Sequence, residues 1–147
     1  MAVTVASMLS KKGTDVLTVA PDDPISAAVA VMADNNVGAL VVSADGVGVE
    51  GMLSERDVVR HLQQHGADVL DRSVRSVMTS EVKVCHREDT SDQLMARMTA
   101  SRIRHLPVIV DDGLAGIISI GDVVKYRLEE LETAASSLRE YITGSSY

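Results

Sequence analysis

Apolar positions along this chain follow two rhythms, and each rhythm occurs twice. After the turn Pro21-Asp22-Asp23-Pro24, residues Ile25, Ala28, Val29 and Met32 recur at helical spacing, with Ser26 placed as a cap. The apolar run Ala39 to Val42 predicts a short buried strand. Ala44-Asp45-Gly46 then turns the chain into a second strand over Val49 to Leu53. From Glu55 the spacing is helical again, with Val58, Val59 and Leu62 on one face. The same order returns further along. Leu94, Met95 and Met98 mark a helix, Leu106 to Val110 a strand, Asp111-Asp112-Gly113 a turn, Leu114 to Ser119 a strand, and a helix starts near Gly121.

The echo is a register match as well as a pattern. At an offset of 66 (16 onto 82), Val16 meets Val82, Asp23 meets Asp89, Ala30 meets Ala96, Met32 meets Met98, Leu40 meets Leu106 and Val42 meets Val108, with Val37 opposite Ile103. After one residue of slippage in a loop the offset is 65 (51 onto 116). Gly51 then meets Gly116, Ser54 meets Ser119, Asp57 meets Asp122, and Val58-Val59 meets Val123-Val124. The chain is thus two copies of a strand-helix-strand-strand-helix unit. A unit of about 60 residues cannot bury both faces of its own sheet, so the copies are expected to pack on each other.

Each copy carries the same chemistry where its last strand runs into its last helix: Gly51-Met-Leu-Ser-Glu-Arg-Asp57 and Gly116-Ile-Ile-Ser-Ile-Gly-Asp122. A Ser hydroxyl and an Asp carboxylate three residues apart at a helix start can face one cleft. The carboxylate accepts from vicinal hydroxyls such as those of a ribose, and helix-start N–H groups favour a nearby anion. For either Asp alone, the blander reading is a charge stabilising a helix N-terminus by about 0.3–1 kcal/mol. Recurrence in register with Ser and Gly favours ligand binding.

With Arg104-His-Leu-Pro-Val108 before the second hairpin, these motifs resemble the CBS-domain family, named for cystathionine beta-synthase, and in particular its small stand-alone tandem members. The resemblance runs from about Val5 into the helix at Asp122, across a linker from Gly66 to Ser76. It implies an α/β fold of two CBS repeats (β-α-β-β-α), residues 5–66 and 74–130, packed as a pseudo-two-fold CBS pair, or Bateman module. It implies ribose contacts from Ser54, Asp57, Ser119 and Asp122, and phosphate contacts from Arg56, Arg104 and His105. AMP, ADP and ATP are the first ligands implied, with NAD(H) and S-adenosylmethionine behind them. The copies are unequal: Gly38-Ala39 stands opposite Arg104-His105, and Gly121 stands opposite Arg56. The Asp57 site is therefore expected to bind more tightly than the Asp122 site.

Composition narrows the alternatives. Hydrophobic residues make up 46% of the 147, but there is no Phe or Trp and only Tyr126, Tyr141 and Tyr147, so Val, Ile, Leu, Met and Ala must form the core. A net charge of −7 and few stacking rings disfavour nucleic acid. The single cysteine, Cys85, excludes an intrachain disulfide, and its place opposite Val19 predicts a buried, inert thiol. No basic leader and no run near the ~20 apolar residues of a membrane span are present, so a soluble cytoplasmic protein is expected. His61 and His65 have a spacing that can hold zinc, but without a third ligand or a base nearby a solvated helix face is the better reading. No nucleophile–base pair, phosphate-binding loop or dinucleotide fingerprint is found, so no enzyme is expected; Gly46 and Gly48 belong to a hairpin turn.

Val124, Leu128, Leu131, Ala135, Leu138 and Ile142 form a heptad seam over residues 122–142, ended by Gly144 and a short frayed tail. This long helix predicts a homodimer contact. The reading of function is a regulatory nucleotide-binding module whose ligand shifts a conformational balance felt by a separate regulated protein. The alternative is a metal-binding or scaffolding CBS protein with vestigial clefts.

Overall fold

The structure is a computed structural model and describes residues 3–144; Tyr147 and the end of the expected tail lie outside the described residues. Helix α1 (Val5–Lys12) comes first, then β1 (Thr18–Val19), α2 (Ile25–Asn35), β2 (Ala39–Val42), β3 (Gly51–Ser54) and α3 (Glu55–His65). A 3-10 turn (Gly66–Asp71) and the short α4 (Val74–Val77) lead to α5 (Ser91–Ser101), β4 (His105–Val110), β5 (Gly113–Ser119) and α6 (Ile120–Gly144).

In the first copy, β1 lies parallel to β2 and β2 pairs antiparallel with β3. In the second, β4 and β5 form the antiparallel pair, and the counterpart of β1 contracts to one parallel bridge, Cys85 to Val108. The repeat register survives: Ala39 faces Ser54 across the first hairpin as His105 faces Ser119 across the second. The matched aspartates Asp23 and Asp89 hold equivalent turns, accepting from the Ala20 and His86 backbone N–H at 3.0 and 2.8 Å. They are structural. Ser26 does not cap α2; the cap position belongs to Pro24, whose extended backbone presets the first turn without a side-chain bond. Val59 points outward at 62% exposure while Val58 is buried, because a 3.6-residue period cannot bring both onto one core face.

Two aliphatic cores result, and each borrows a helix from the other side of the chain. Val5, Met8 and Leu9 of α1 pack with Cys85, Leu94, Met98, Leu106, Val108 and Ile118 of the second copy. Val74 and Val77 of α4 pack with Ile25, Met32, Leu40, Val42 and Leu53 of the first. Equivalent backbone bonds fix the exchange: Val5 N–H donates to Asp89 O and Val74 N–H to Asp23 O, both at 2.8 Å. The glycines matched in sequence are the points of closest approach. A Cβ on Gly116 would lie 2.6 Å from Leu9 Cδ2 of α1, and one on Gly51 would lie 2.6 Å from Met78 Sδ and 2.9 Å from the Thr79 carbonyl. Cys85 is fully buried, and desolvation pushes its thiol up to about 12.

Helix α6 starts two residues earlier than the expected 122. Only its first turns touch the core, through Val123 and Tyr126. Val124, Leu128, Leu131, Leu138 and Ile142 of the heptad seam are 47–61% exposed.

Candidate ligand-binding cleft

Two interacting residues set the end of β3. Ser54 has an extended backbone and its hydroxyl accepts from the Asp57 N–H at 3.1 Å, while Asp57 Oδ2 accepts from the Ser54 N–H at 2.9 Å. This capping box makes α3 start at Glu55, whose own N–H bonds the Gly38 carbonyl at 2.9 Å. The second Asp57 oxygen, Oδ1, is met by the Thr79 hydroxyl at 3.5 Å, the long limit of a hydrogen bond. The blander reading of this pair is therefore correct as far as it goes, since capping uses one carboxylate oxygen. It leaves the other facing the cleft.

The cleft itself encloses about 390 Å³, the size of a small-molecule pocket. Of the seven residues expected to contact ligand, it brings together Ser54, Arg56 and Asp57 from the first copy with Arg104 and His105 from the second. Ala39, Met52, Val82 and Ile103 supply apolar wall. Arg56, Arg60, Lys83, Arg102 and Arg104 supply five cations against the carboxylates of Asp57 and Glu81. In a chain with 14 Lys and Arg and a net charge of −7, that is a strong local reversal of sign.

Sequence reasoning missed Thr79, Lys83, Arg60 and Arg102. Thr79 and Lys83 sit in the connection after α4, which the bridges of Thr79 to Met52 and of Cys85 to Val108 carry past the cleft. Arg102 had a local signal. It caps α5 in the left-handed conformation at φ 54°, where the first copy has Asn36 at φ 53°. Asn adopts this conformation readily, whereas an Arg there carries backbone strain. Its carbonyl accepts from Arg56 Nη1 at 3.4 Å, and Glu55 meets Arg104 at 3.4 Å at the mouth. His105 is held below the usual imidazole range, first by burial, then by the positive charges of Arg104 and Lys12. It is neutral at pH 7 and can give an anion a hydrogen bond but no charge.

The remaining two expected residues, Ser119 and Asp122, form the equivalent capping box at the start of α6; they do not line this cleft, although Ser119 is the cross-strand partner of His105, which does. Ser119 N–H donates to Asp122 Oδ2 at 2.8 Å and Asp122 N–H to Ser119 Oγ at 3.1 Å. Here an ammonium is already present: Lys12 Nζ bonds Asp122 Oδ2 and the Ile117 carbonyl, the latter at 2.7 Å. Burial alone would raise the Asp122 pKa; the Lys12 and Ser119 bonds more than offset it and hold the carboxyl below the ordinary range.

With the paired boxes and exchanged helices in view, sequence comparison decides the family. The profile of the CBS domain matches twice, at residues 6–64 and 74–129. The chain belongs to the CBS domain family. As a tandem CBS protein it is similar to the mitochondrial CBS domain-containing protein CBSX3 of Arabidopsis thaliana, 35% identical over 97% of this chain and 73% of that one. Its fold is similar to the CBS-domain protein ATU1752 of Agrobacterium tumefaciens, with TM-score 0.82 and 48% identity over 86% of this chain and 95% of that one. A more distant CBS pair, that of protein MJ0100 solved with 5-methylthioadenosine and S-adenosyl-L-methionine, shares the fold at TM-score 0.75 and 19% identity, covering 88% and 99% of the two chains. Among the described residues no cluster of three metal-ligating side chains occurs, and His61 and His65 only stack, with ring centroids 5.8 Å apart. No described helix is long and apolar enough to cross a membrane.

Proposed function

We propose that this CBS pair is a regulatory module that binds a phosphate-bearing adenosine ligand (AMP, ADP, ATP or NAD(H)) in the cleft between its copies. The observation that carries the reading is the collection of five cations beside a carboxylate oxygen left facing the cleft, in an otherwise acidic protein. Asp57 would accept from the ribose hydroxyls, Ser54 would hold Asp57 in place, and Arg56, Arg102 and Arg104 would meet phosphate. Adenosyl compounds bound by the MJ0100 pair support the adenosine part of the reading. The cation excess favours a phosphate chain over S-adenosylmethionine, whose sulfonium is positive.

Because the cleft takes walls from both copies, a ligand that bridges Asp57 and Arg104 favours one arrangement of the copies. Regulation then follows by linkage to whatever the module contacts. The exposed heptad seam of α6 suits a second copy of the chain, which would carry the rearrangement into a homodimer.

The test is thermal unfolding of nucleotide-free protein with AMP, ADP, ATP, NAD, NADH, S-adenosylmethionine or zinc. A ligand at 100 times its Kd stabilises by about 2.7 kcal/mol, a shift of several degrees for a chain of this size. A shift with a phosphate-bearing adenine compound that Asp57→Ala removes supports the proposal. No shift with any adenine compound overturns it, and a shift with zinc alone favours a metal-binding protein.

A further inference from the structure

The second Ser–Asp pair is built like the first yet engages a side chain of its own protein. The reason lies in the length of one helix. Helices α1 and α4 occupy equivalent places, with Leu9 against Gly116 and Met78 against Gly51. After Met78 the chain leaves the helix, and the Thr79 backbone N–H bonds the Met52 carbonyl of β3 at 2.9 Å. After Leu9 the helix instead continues to Lys12. Its ammonium takes over the role of that N–H, bonding the Ile117 carbonyl of β5, and reaches the Asp122 carboxylate as well. The Lys12 side chain is 23% exposed and that of Asp122 20%, so the pair is well covered, unlike the surface pair of Lys11 and Glu129 at 59% and 47%.

We infer that Lys12 is the built-in occupant of the second Ser–Asp site, closing it to ligand, and that removing its ammonium opens a site for an unphosphorylated nucleoside. This rests on the reading that the Ser–Asp pairs of this fold are ligand-binding. Lys12 bonds Asp122 Oδ2, the oxygen that also accepts from the Ser119 N–H and hydroxyl, so a ribose approaching this carboxylate would meet an ammonium that it must displace without bringing a charge of its own. The chemical class of the opened site follows from the repeat. Of the five cations of the first cleft, Arg56, Lys83, Arg102 and Arg104 correspond to Gly121, Leu17, Asn36 and Gly38, and only Arg60 has a cationic match, Lys125. Without the phosphate clamp, the Asp122 site keeps the diol acceptor and loses the preference for an anion.

Calorimetric titration with AMP and with adenosine tests this on the wild-type chain, Lys12→Met, and Lys12→Met combined with Asp57→Ala. The inference expects one AMP per wild-type chain and an additional adenosine site in Lys12→Met. The double variant should lose the AMP site and keep the adenosine site. Equal adenosine stoichiometry in wild type and Lys12→Met, or two sites already present in wild type, overturns the inference and leaves the first cleft standing. Should wild type bind neither compound while Lys12→Met binds adenosine, the inference holds and the proposal for the first cleft fails. If neither protein binds either compound, both are overturned. Amine labelling of the native wild-type chain, read by mass spectrometry, needs no variant that must fold. Lys12 should react several-fold more slowly than Lys11, and equal labelling of the two overturns the occupancy of Asp122.

Discussion

The two ends of this pseudo-symmetric chain share a backbone and differ in charge. At the first, Ser54 and Asp57 open onto a cleft with five cations; at the second, Ser119 and Asp122 are met by Lys12. Both capping boxes start a helix, so the motif serves folding in each copy. What separates the two is the group that another element brings to the carboxylate: the Thr79 hydroxyl on Asp57 Oδ1, and the Lys12 ammonium on Asp122 Oδ2, the oxygen the cap already uses. Duplication supplied two frames, and divergence at Arg56/Gly121, Arg104/Gly38 and the C-terminal turn of α1 made them unequal.

The comparison is tested most severely through the exchanged helices. Met8→Ala should cost about 2–5 kcal/mol, since Met8 is fully buried in the second core. Hydrogen exchange should rise first around β4 and β5, although Met8 lies in the first copy in sequence. Equal loss of protection in both copies would show one cooperative core instead of two. Gly51→Ala should destabilise by about 1–3 kcal/mol, and Gly116→Ala by less. The first meets the Thr79 backbone and the second only the end of the Leu9 side chain, which can rotate away. Denaturant midpoints of the two variants would reveal the order.

For the first cleft, Asp57→Ala should weaken AMP or ATP binding about 10- to 100-fold, the value of a hydrogen bond to a charged group. Asp122→Ala should leave it within about twofold of wild type by titration calorimetry. Arg102→Asn should stabilise the free protein by about 0.5–1 kcal/mol by relieving the left-handed Arg while weakening the nucleotide, a trade of stability for binding. An unchanged affinity would reduce Arg102 to a strained cap.

The smallest effects are in pH. Asp122 has a depressed folded pKa, so its contribution is fully present above 3.8 and is lost as pH falls through the lower folded value. His105 also titrates lower when folded; stability therefore begins to fall as pH drops below 6.5 and continues down through its folded value. Asp122→Asn should flatten the lower step of a stability–pH curve and His105→Gln the upper. A curve unchanged by either substitution would remove both groups from the account.

Much of this was legible in the chain. The strand-helix-strand-strand-helix order of the repeats follows from alternating periodicities, and the register of Gly, Ser and Asp placed both Ser–Asp pairs at helix starts, though not as the reciprocal caps they form. Arg104 and His105 are expected at a ligand cleft from the family resemblance, as residues preceding the inner strand of the second copy, and they line the cleft beside Asp57. Thr79 and Lys83 could not be placed there. They follow α4 outside any helix or strand, and their direction is set by backbone bridges to distant strands, Thr79 to Met52 and, beyond Lys83, Cys85 to Val108.

Sequence by itself determined that two aliphatic units would form, that each would carry a Ser–Asp pair at the start of its last helix, and that the pairs would differ in nearby charge. These are local properties, fixed by residue spacing and by hydrogen bonds spanning three residues. Tertiary structure decided which helix completes which core and that an ammonium from α1 would sit on Asp122. Lys12 and Asp122 are far apart in the chain, and no periodicity encodes their meeting. It depends on how far α1 extends before Gly13 ends it, and on a close approach that only Gly116 allows.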